Sequence, residues 1–282
     1  MSLIKPLIRD EELINEVQQH KNDTQRFHLW WLGQSGFLLA WNGKLVLFDP
    51  YLSDSLTEKY KNTDKPHVRM SELVVKPELL KELNIVTSSH NHTDHLDGET
   101  LIPILKNNPS VTFIIPEANR AFVAARVGCD NSFPVGLDAG ATFREGEFTF
   151  FGVPAAHNEI EKDEDGRHKF MGYVVRFGTW TIYHSGDTLW YEGMEDLLKP
   201  FNLDVALLPI NGNDPARRVA GNLDAAEAAL LGRKIGAKRV IPCHYDMFTF
   251  NTADPKSFVT EAKKLNQPYT VLQPGGRFEY AG

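Results

Sequence analysis

Short apolar runs separated by polar turns mark the N-terminal part of the sequence. Gly36 to Trp41 and Lys44 to Phe48 flank the dipeptide Asn42-Gly43, the strongest short signal for a β-hairpin. Residues 1–25 are a polar, charged lead-in, for which we expect a short helix. Residues 53–77 are polar with few apolar anchors, and a segment of that length in a compact domain is often a lid. We therefore predict a hairpin followed by a lid loop.

Strand-like and helix-like segments alternate from residue 84 onward. The β-rich runs are 84–87, 111–115, 149–153, 173–177, 180–183, 205–208 and 240–241. The helical segments are 101–105, 117–126, 224–236 and one that starts near residue 254. Asp224 followed by Glu227 is typical of a capping box, and Gly128 is a typical helix stop. Hairpins mixed with helices favour an α/β fold with two sheets, and we expect a single domain over 1–282.

Composition and charge exclude several function classes. The 282-residue chain is 42% hydrophobic and has a formal net charge of −7. This acidic balance argues against a nucleic-acid partner, which requires a basic face. No apolar run approaches the ~18 residues that span a bilayer, so no membrane partner is expected. Two distant cysteines, Cys129 and Cys243, and an N-terminus unlike a signal peptide predict a cytoplasmic protein.

The highest density of potential metal ligands lies in one loop, His90-Asn91-His92-Thr93-Asp94-His95. It directly follows a predicted strand, where functional loops are commonly placed. Imidazole nitrogens and carboxylate oxygens are ligands for borderline divalent metals. Three histidines and an aspartate within six residues cannot all reach one ion from a single loop. The pattern therefore predicts two ions, and a polar loop with surface histidines is the weaker interpretation.

Three more candidate ligands follow β-rich runs: His157, Asp187 and His244. Ligands at strand ends converge at one edge of a sheet, where the strands supply rigidity. His168, in a charged segment, is the rival of His157, which we prefer because it follows a strand run directly. Asp187 lies in Ser-Gly-Asp, a sequence that also favours a simple turn.

The ordered pattern H-x-H-x-D-H, then His, Asp and His, resembles the metallo-β-lactamase superfamily, and Asp49 matches that family's early aspartate. The resemblance implies an α/β fold, an αββα sandwich of two mixed β-sheets flanked by helices. It implies that one ion is bound by His90, His92 and His157. It implies that the other is bound by Asp94, His95 and His244. Asp187 would bridge the two ions, and Asp49 would orient the ligand loop from behind.

A narrower resemblance covers about residues 28–274. The segments that carry it are WLGQSGFLLAWNGKLVLFDPYLSD, SSHNHTDHLDGETL, YHSGDTLWY, ALLPINGND and IPCHYDMFTFNTADP. They are similar to the branch that includes L-ascorbate-6-phosphate lactonase, although this chain is shorter than that lactonase. The resemblance implies a small anionic substrate, such as a sugar-phosphate lactone, and a homo-oligomer. It also implies manganese, whereas the ligand types suit zinc.

Several other residues are candidates for contact with the substrate. Those that follow a strand end or a ligand are Asn211, Asn213, Arg217, Arg218, Tyr245 and Phe248, and His168 is added from the charged segment. The loop that holds the asparagines and arginines either binds an anionic group or is simply solvated. Gly33-Gln34-Ser35-Gly36 is interpreted as a tight turn because it lacks the strand-to-helix context of a serine nucleophile. Cys243 is expected in the core, and Asp97 is expected to cap a helix.

These observations predict a metal-dependent hydrolase in which a hydroxide bridging two metals attacks the substrate. Asp94 and Asp187 are the predicted catalytic carboxylates. A phosphodiesterase or nuclease is an alternative hydrolase. A di-iron oxidoreductase is an alternative from another class, although no flavin-binding segment accompanies the core. A protein that only binds a ligand is the fourth interpretation, and metal-dependent turnover would exclude it.

Overall fold

The computed structural model describes residues 2–282 and contains thirteen strands. In chain order they are β1 Phe27–Gly33, β2 Gly36–Trp41, β3 Lys44–Phe48, β4 Ile85–Thr87, β5 Thr112–Pro116, β6 Val135–Leu137, β7 Thr142–Glu145, β8 Phe148–Pro154, β9 Met171–Phe177, β10 Trp180–His184, β11 Val205–Pro209, β12 Arg239–Cys243 and β13 Arg277–Tyr280. The α-helices are α1 Asp10–His20, α2 Ser55–Tyr60, α3 Gly98–Asn107, α4 Arg120–Val127, α5 Met194–Leu198, α6 Ala225–Lys234 and α7 Pro255–Lys264.

The strands form two mixed sheets. The first has seven strands in the order β13-β1-β2-β3-β4-β5-β6, and the second has six in the order β12-β11-β10-β9-β8-β7. Antiparallel pairs link β13 to β3 in the first sheet, and parallel pairs link β3 to β6. The second sheet is antiparallel from β7 to β10 and parallel from β10 to β12.

Alternating residues of β1 belong to two different hydrophobic cores. Leu29 and Trp31 lie in the core that also contains the second sheet. Trp30 and Leu32 lie in a core with side chains from α1, α3 and α4. Side chains of successive strand residues point to opposite faces, so the first sheet is buried on both sides. This explains why the β1 sequence FHLWWLG shows no alternation of polar and apolar residues, and why even its His28 is buried.

Helices also cover the second sheet, because α6 packs on β11 and β12, and α7 packs on α6. The layers therefore run helix, sheet, sheet, helix, and the predicted fold class is confirmed. The hairpin around Asn42-Gly43 has the predicted bounds. The predicted capping box of α6 is present between Asp224 and Glu227, and Asp97 caps α3.

The structure differs from the sequence-based expectation in three places. Strands β1, β6, β7 and β13 and helix α5 were not predicted. The 117–126 segment begins as a 3₁₀ turn, Glu117–Asn119, before α4 starts. The 53–77 segment contains helix α2, and its later part pairs with the chain after β12, where Met70 N donates to Met247 O at 2.8 Å. This segment is therefore partly ordered by hydrogen bonds rather than a free loop.

Within residues 2–282, the model contains no helix of the length and apolarity that crossing a membrane requires.

Candidate metal centre

The loop that follows β4 is held by hydrogen bonds within itself and from outside. Leu96 N donates to His92 O at 2.8 Å, which closes a helical turn. Asp97 accepts from Thr100 N at 3.1 Å and ends the loop as the cap of α3. Arg126 of α4 donates to Asn91 O at 3.1 Å and to Leu96 O at 3.2 Å. These contacts fix the backbone from which four predicted ligands project.

The structure brings all seven predicted ligand residues together in two groups. The first group is His90, His92 and His157, and the second is Asp94, His95, Asp187 and His244. Within each group the candidate ligand atoms all lie within 4.8 Å of one another, a spacing that could hold a metal ion. The ligands come from the carboxyl ends of β4, β8, β10 and β12, and so from both sheets.

Asp187 makes contact with both groups. Its Oδ2 lies 3.7 Å from His157 Nε2 in the first group and 3.3 Å from His244 Nε2 in the second. Its Oδ1 lies 3.3 Å from His95 Nε2. One carboxylate therefore stands between the two sets of imidazoles, which is the position expected of a bridging ligand.

The donor atoms in the centre fit a divalent cation. His90 Nε2 is buried and makes no hydrogen bond within residues 2–282. A buried polar atom without a partner costs about 1–3 kcal/mol, so such atoms normally have one. Imidazole nitrogens and carboxylate oxygens converging in one buried place supply the ligand types of zinc and similar metals.

Asp49, directly after β3, holds His95 from behind. His95 Nδ1 lies 2.8 Å from Asp49 Oδ2, and both side chains are fully buried. The same carboxylate accepts from Thr87 Oγ1 at 3.0 Å and from Ser89 N at 3.2 Å. Because a carboxylate only accepts, Nδ1 carries a proton, and Nε2 is the nitrogen that faces the centre. Asp49 therefore occupies the orienting position predicted for it.

His157 is oriented in the same way by the backbone. Its Nδ1 donates to Gly221 O at 2.8 Å, so Nε2 is the nitrogen that faces Asp187. The carbonyl that fixes the ring belongs to the loop between β11 and α6, which Gly221 N ties to Asn158 Oδ1 at 3.0 Å. The loop after β11 therefore supports the centre without supplying a ligand.

The two groups differ in charge. Burial lowers the pKa of His92 to about 4 and holds the pKa of His90 well below its usual range. Burial alone would also lower the pKa of His244, but the carboxylates of Asp187 and Asp94 outweigh it and raise that pKa to about 9. The first group thus presents neutral imidazoles, the form that binds metal, whereas the second is a set of carboxylate–imidazolium pairs.

A cavity of about 550 Å³ opens onto both groups. Among the predicted substrate residues, Arg218 and Phe248 line it. Asn211 and Arg217 lie behind the wall, where both donate to Asn251 Oδ1, at 2.9 Å and 2.7 Å, and so fix a residue that does line the cavity.

The other three predicted substrate residues, His168, Tyr245 and Asn213, do not line this cavity either. His168 Nδ1 is held by Asp138 Oδ1 at 2.8 Å. Tyr245 is buried against Trp31, with 4.3 Å between ring centroids, and its hydroxyl donates to Leu272 O at 2.5 Å. Asn213 is exposed on its loop. Tyr245 follows a predicted ligand, but its side chain turns into the core instead of toward the metal groups.

Other residues that line the cavity were not predicted to contact the substrate. They include Gln34, Lys59, Lys65, His67 and Arg126. Gln34 lies in the turn between β1 and β2, and its side chain reaches Asp94. The residues at 59, 65 and 67 belong to the predicted lid segment, whose basic side chains were the available signal.

Comparisons with known proteins identify the family. A model of the β-lactamase superfamily domain matches residues 44–245. A UPF0173 metal-dependent hydrolase of Archaeoglobus fulgidus is 31% identical over 256 residues, 89% of this chain and 97% of the relative. The chain belongs to the β-lactamase superfamily and to its UPF0173 family. It is a metal-dependent hydrolase, in keeping with the two His/Asp groups.

Solved structures share the fold of this UPF0173 hydrolase. Igni18, a metallo hydrolase from Ignicoccus hospitalis, aligns with a TM-score of 0.66 at 20% identity and covers 90% of this chain and 98% of its own. CmlA, a diiron β-hydroxylase from Streptomyces venezuelae, aligns with a TM-score of 0.66 at 14% identity, over 95% of this chain and 59% of CmlA. At these identities the likeness concerns the fold alone.

Proposed function

We propose that this UPF0173 hydrolase cleaves a small anionic ester or lactone, such as a sugar-phosphate lactone, with two divalent cations. The observation that carries the proposal is the position of Asp187, whose carboxylate contacts imidazoles of both ligand groups. A shared carboxylate places two cation positions side by side, the arrangement of two-metal hydrolases. When bound, the cations supply Lewis acidity that activates water and polarises the scissile bond.

The residues of the chain have distinct roles in this proposal. His90, His92 and His157 would hold one cation, and Asp94, His95 and His244 would hold the other. Asp49 keeps His95 in the required tautomer through its 2.8 Å contact with Nδ1. Asp94 is ionised, because the charges of His95 and His244 outweigh its burial and keep its pKa well below the usual range. Its carboxylate can therefore accept a hydrogen bond from the attacking water and orient it.

The charges of the cavity support an anionic substrate. Apart from Asp94 and Asp187, the formally charged residues that line it in the described chain are all basic: Lys59, Lys65, Arg126 and Arg218. Arg218 pairs with Asp64, but both side chains are more than half exposed, and such surface pairs contribute only about 0–1 kcal/mol. A substrate anion can compete for this arginine. A local basic cavity is compatible with the overall net charge of −7.

The ligand types also bear on which metal the protein uses. Five histidines and two aspartates suit zinc by ligand preference, whereas the lactonase resemblance implies manganese. Because zinc binds most such sites more tightly than manganese, the metal found in purified protein does not by itself identify the active metal.

The test is turnover by metal-free protein reconstituted separately with Mn²⁺, Zn²⁺ and Fe²⁺. The substrates would be a sugar-phosphate lactone, a neutral lactone, a phosphodiester and a phosphomonoester. We expect the sugar-phosphate lactone to react, and Asp187→Ala to abolish turnover and the binding of at least one cation. Turnover of the phosphodiester alone would favour the phosphodiesterase alternative.

Oxygen consumption by the Fe²⁺ form, without hydrolysis of any substrate, would favour an oxidoreductase instead. Asp196→Ala is a matched control for Asp187→Ala, since Asp196 is an exposed carboxylate on α5. Its turnover and cation stoichiometry should equal those of the wild type.

A further inference from the structure

The turn between β1 and β2 is fixed from three sides. Gln34 O accepts from Trp31 Nε1 and from His244 N, both at 3.0 Å. Ser35 O accepts from His184 Nε2 at 2.8 Å. Gln34 has a φ of +50°, a left-handed conformation that a residue with a side chain rarely adopts. Strained backbone that the surroundings hold in place is a reason to look for a function of the side chain.

The side chain of Gln34 reaches into the second ligand group. Its Nε2 lies 2.9 Å from Asp94 Oδ2 and 3.0 Å from His244 Nε2, and the residue is only 3% exposed. A carboxamide nitrogen only donates, and its acceptor here is the ionised carboxylate of Asp94. In the described chain, Gln34 is the only side chain outside the two ligand groups that hydrogen-bonds to Asp94 Oδ2.

We propose that Gln34 is a positioning residue that orients Asp94 for the cation of the second group. This inference rests on the proposed two-cation function. One N–H occupies a lone pair of Asp94 Oδ2 and so restricts how the carboxylate turns toward the centre.

The first ligand group offers an internal comparison. Neither His90 nor His92 hydrogen-bonds to Gln34, and His157 is oriented by Gly221 O instead. A general disturbance of the fold would weaken both cation sites. Loss of a positioning residue specific to the second group would weaken one of them.

The test is calorimetric titration of metal-free protein with Zn²⁺ and, separately, with Mn²⁺. The variant Gln34→Met keeps the length of the side chain and removes both donors. We expect a 10–100-fold loss of affinity for one of the two cations, the range typical of outer-shell changes, and an unchanged affinity for the other. Gln25→Met is the matched control, because Gln25 is exposed and its side-chain amide hydrogen-bonds only to its neighbour Thr24. It should match the wild type at both sites.

A second measurement needs no variant that might fail to fold. In wild-type protein labelled with ¹⁵N-glutamine, the Gln34 side-chain N–H signals should shift on addition of the diamagnetic Zn²⁺, because the Asp94 carboxylate that accepts from Gln34 would become a cation ligand. Equal effects of Gln34→Met on both cations, or Gln34 signals unmoved by Zn²⁺, would overturn the positioning role and leave the proposed function standing. Wild-type protein that binds fewer than two cations would overturn both.

Discussion

His95 and Asp49 form a hydrogen bond of 2.8 Å between Nδ1 and Oδ2 in which neither side chain is exposed. Asp49 belongs to the loop after β3, whereas His95 belongs to the loop after β4, and these strands are parallel neighbours. The contact therefore fixes the His95 ring, a member of the second ligand group, to two neighbouring strands of the first sheet.

Removing this contact should weaken metal binding without removing a ligand. We expect Asp49→Ala to lower cation affinity or turnover by about 10–100-fold, because His95 loses its orienting acceptor. Competition with a chelator of known affinity measures the effect. Asp130→Ala is the matched control, as Asp130 is an exposed carboxylate bonded only to its neighbour Ser132. Equal cation affinities for the two variants would contradict an orienting role.

The choice between His157 and His168 can be decided by counting bound metal. His157→Ala should lose about one equivalent of cation, because its Nε2 faces Asp187. His168→Ala should keep both, since its ring is held by Asp138 away from the cavity. Elemental analysis after dialysis gives the stoichiometry. Loss of metal in His168→Ala but not in His157→Ala would reverse the predicted ligand set.

The ion pairs of the second group predict a pH dependence for the metal-free protein. The pKa of His244 is raised from 6.5 to about 9, despite burial, by the charges of Asp187 and Asp94. A raised pKa means that the folded state binds the proton more tightly than the unfolded state, so its stabilisation is full below about pH 6.5. This stabilisation is lost as the pH rises through about 9.

Thermal unfolding of metal-free protein between pH 6.5 and pH 9 measures this effect. We expect the midpoint to fall with increasing pH in the wild type and to fall less steeply in His244→Asn. A wild-type midpoint that does not change over this interval would show that His244 is not held as an imidazolium.

Charge reversal at the cavity should act on substrate binding rather than on chemistry. Lys59, on α2, has no carboxylate partner in the described chain, and its Nζ lies 5.0 Å from the Tyr60 ring centre. For an anionic substrate we expect Lys59→Glu to raise KM by about tenfold with little change in kcat, since two charges near 4 Å interact by about 1 kcal/mol or more. Lys106→Glu, on the exposed face of α3, should leave KM unchanged. A KM insensitive to Lys59→Glu, or equally sensitive to both, would argue against an anionic group at this wall.

The predicted ligands were accessible from the sequence because each follows a strand and carries a distinctive side chain. The role of Gln34 could not be predicted in this way, because its place in the site depends on strand β1. That strand lacks the alternation of polar and apolar residues by which a strand is predicted. Both faces of that strand are buried, by the second sheet on one side and by helices on the other. Sequence spacing also gives no sign that residue 34 meets residue 94 or residue 244.

The error about Tyr245 has a different cause. His244 has a φ of +66° and Asp246 a φ of +56°, so the chain turns sharply on either side of Tyr245. The Tyr245 ring is directed toward Trp31, while Phe248, three residues later, reaches the cavity. The position of Tyr245 next to a predicted ligand therefore did not indicate where its side chain points. The left-handed backbone conformations of His244 and Asp246 could not be predicted from the residue types in this segment.

The origin of the ligands in both sheets has a mechanical consequence. His90 and His95 follow a strand of the first sheet, whereas His157, Asp187 and His244 follow strands of the second. Cations bound by these ligands would cross-link the two β-sheets. A small displacement of one sheet relative to the other would then change the distances between the ligand atoms. Side chains packed between the sheets near this edge, such as Phe48 stacked on His184 with 5.3 Å between ring centroids, thereby set the geometry of the metal centre without touching it.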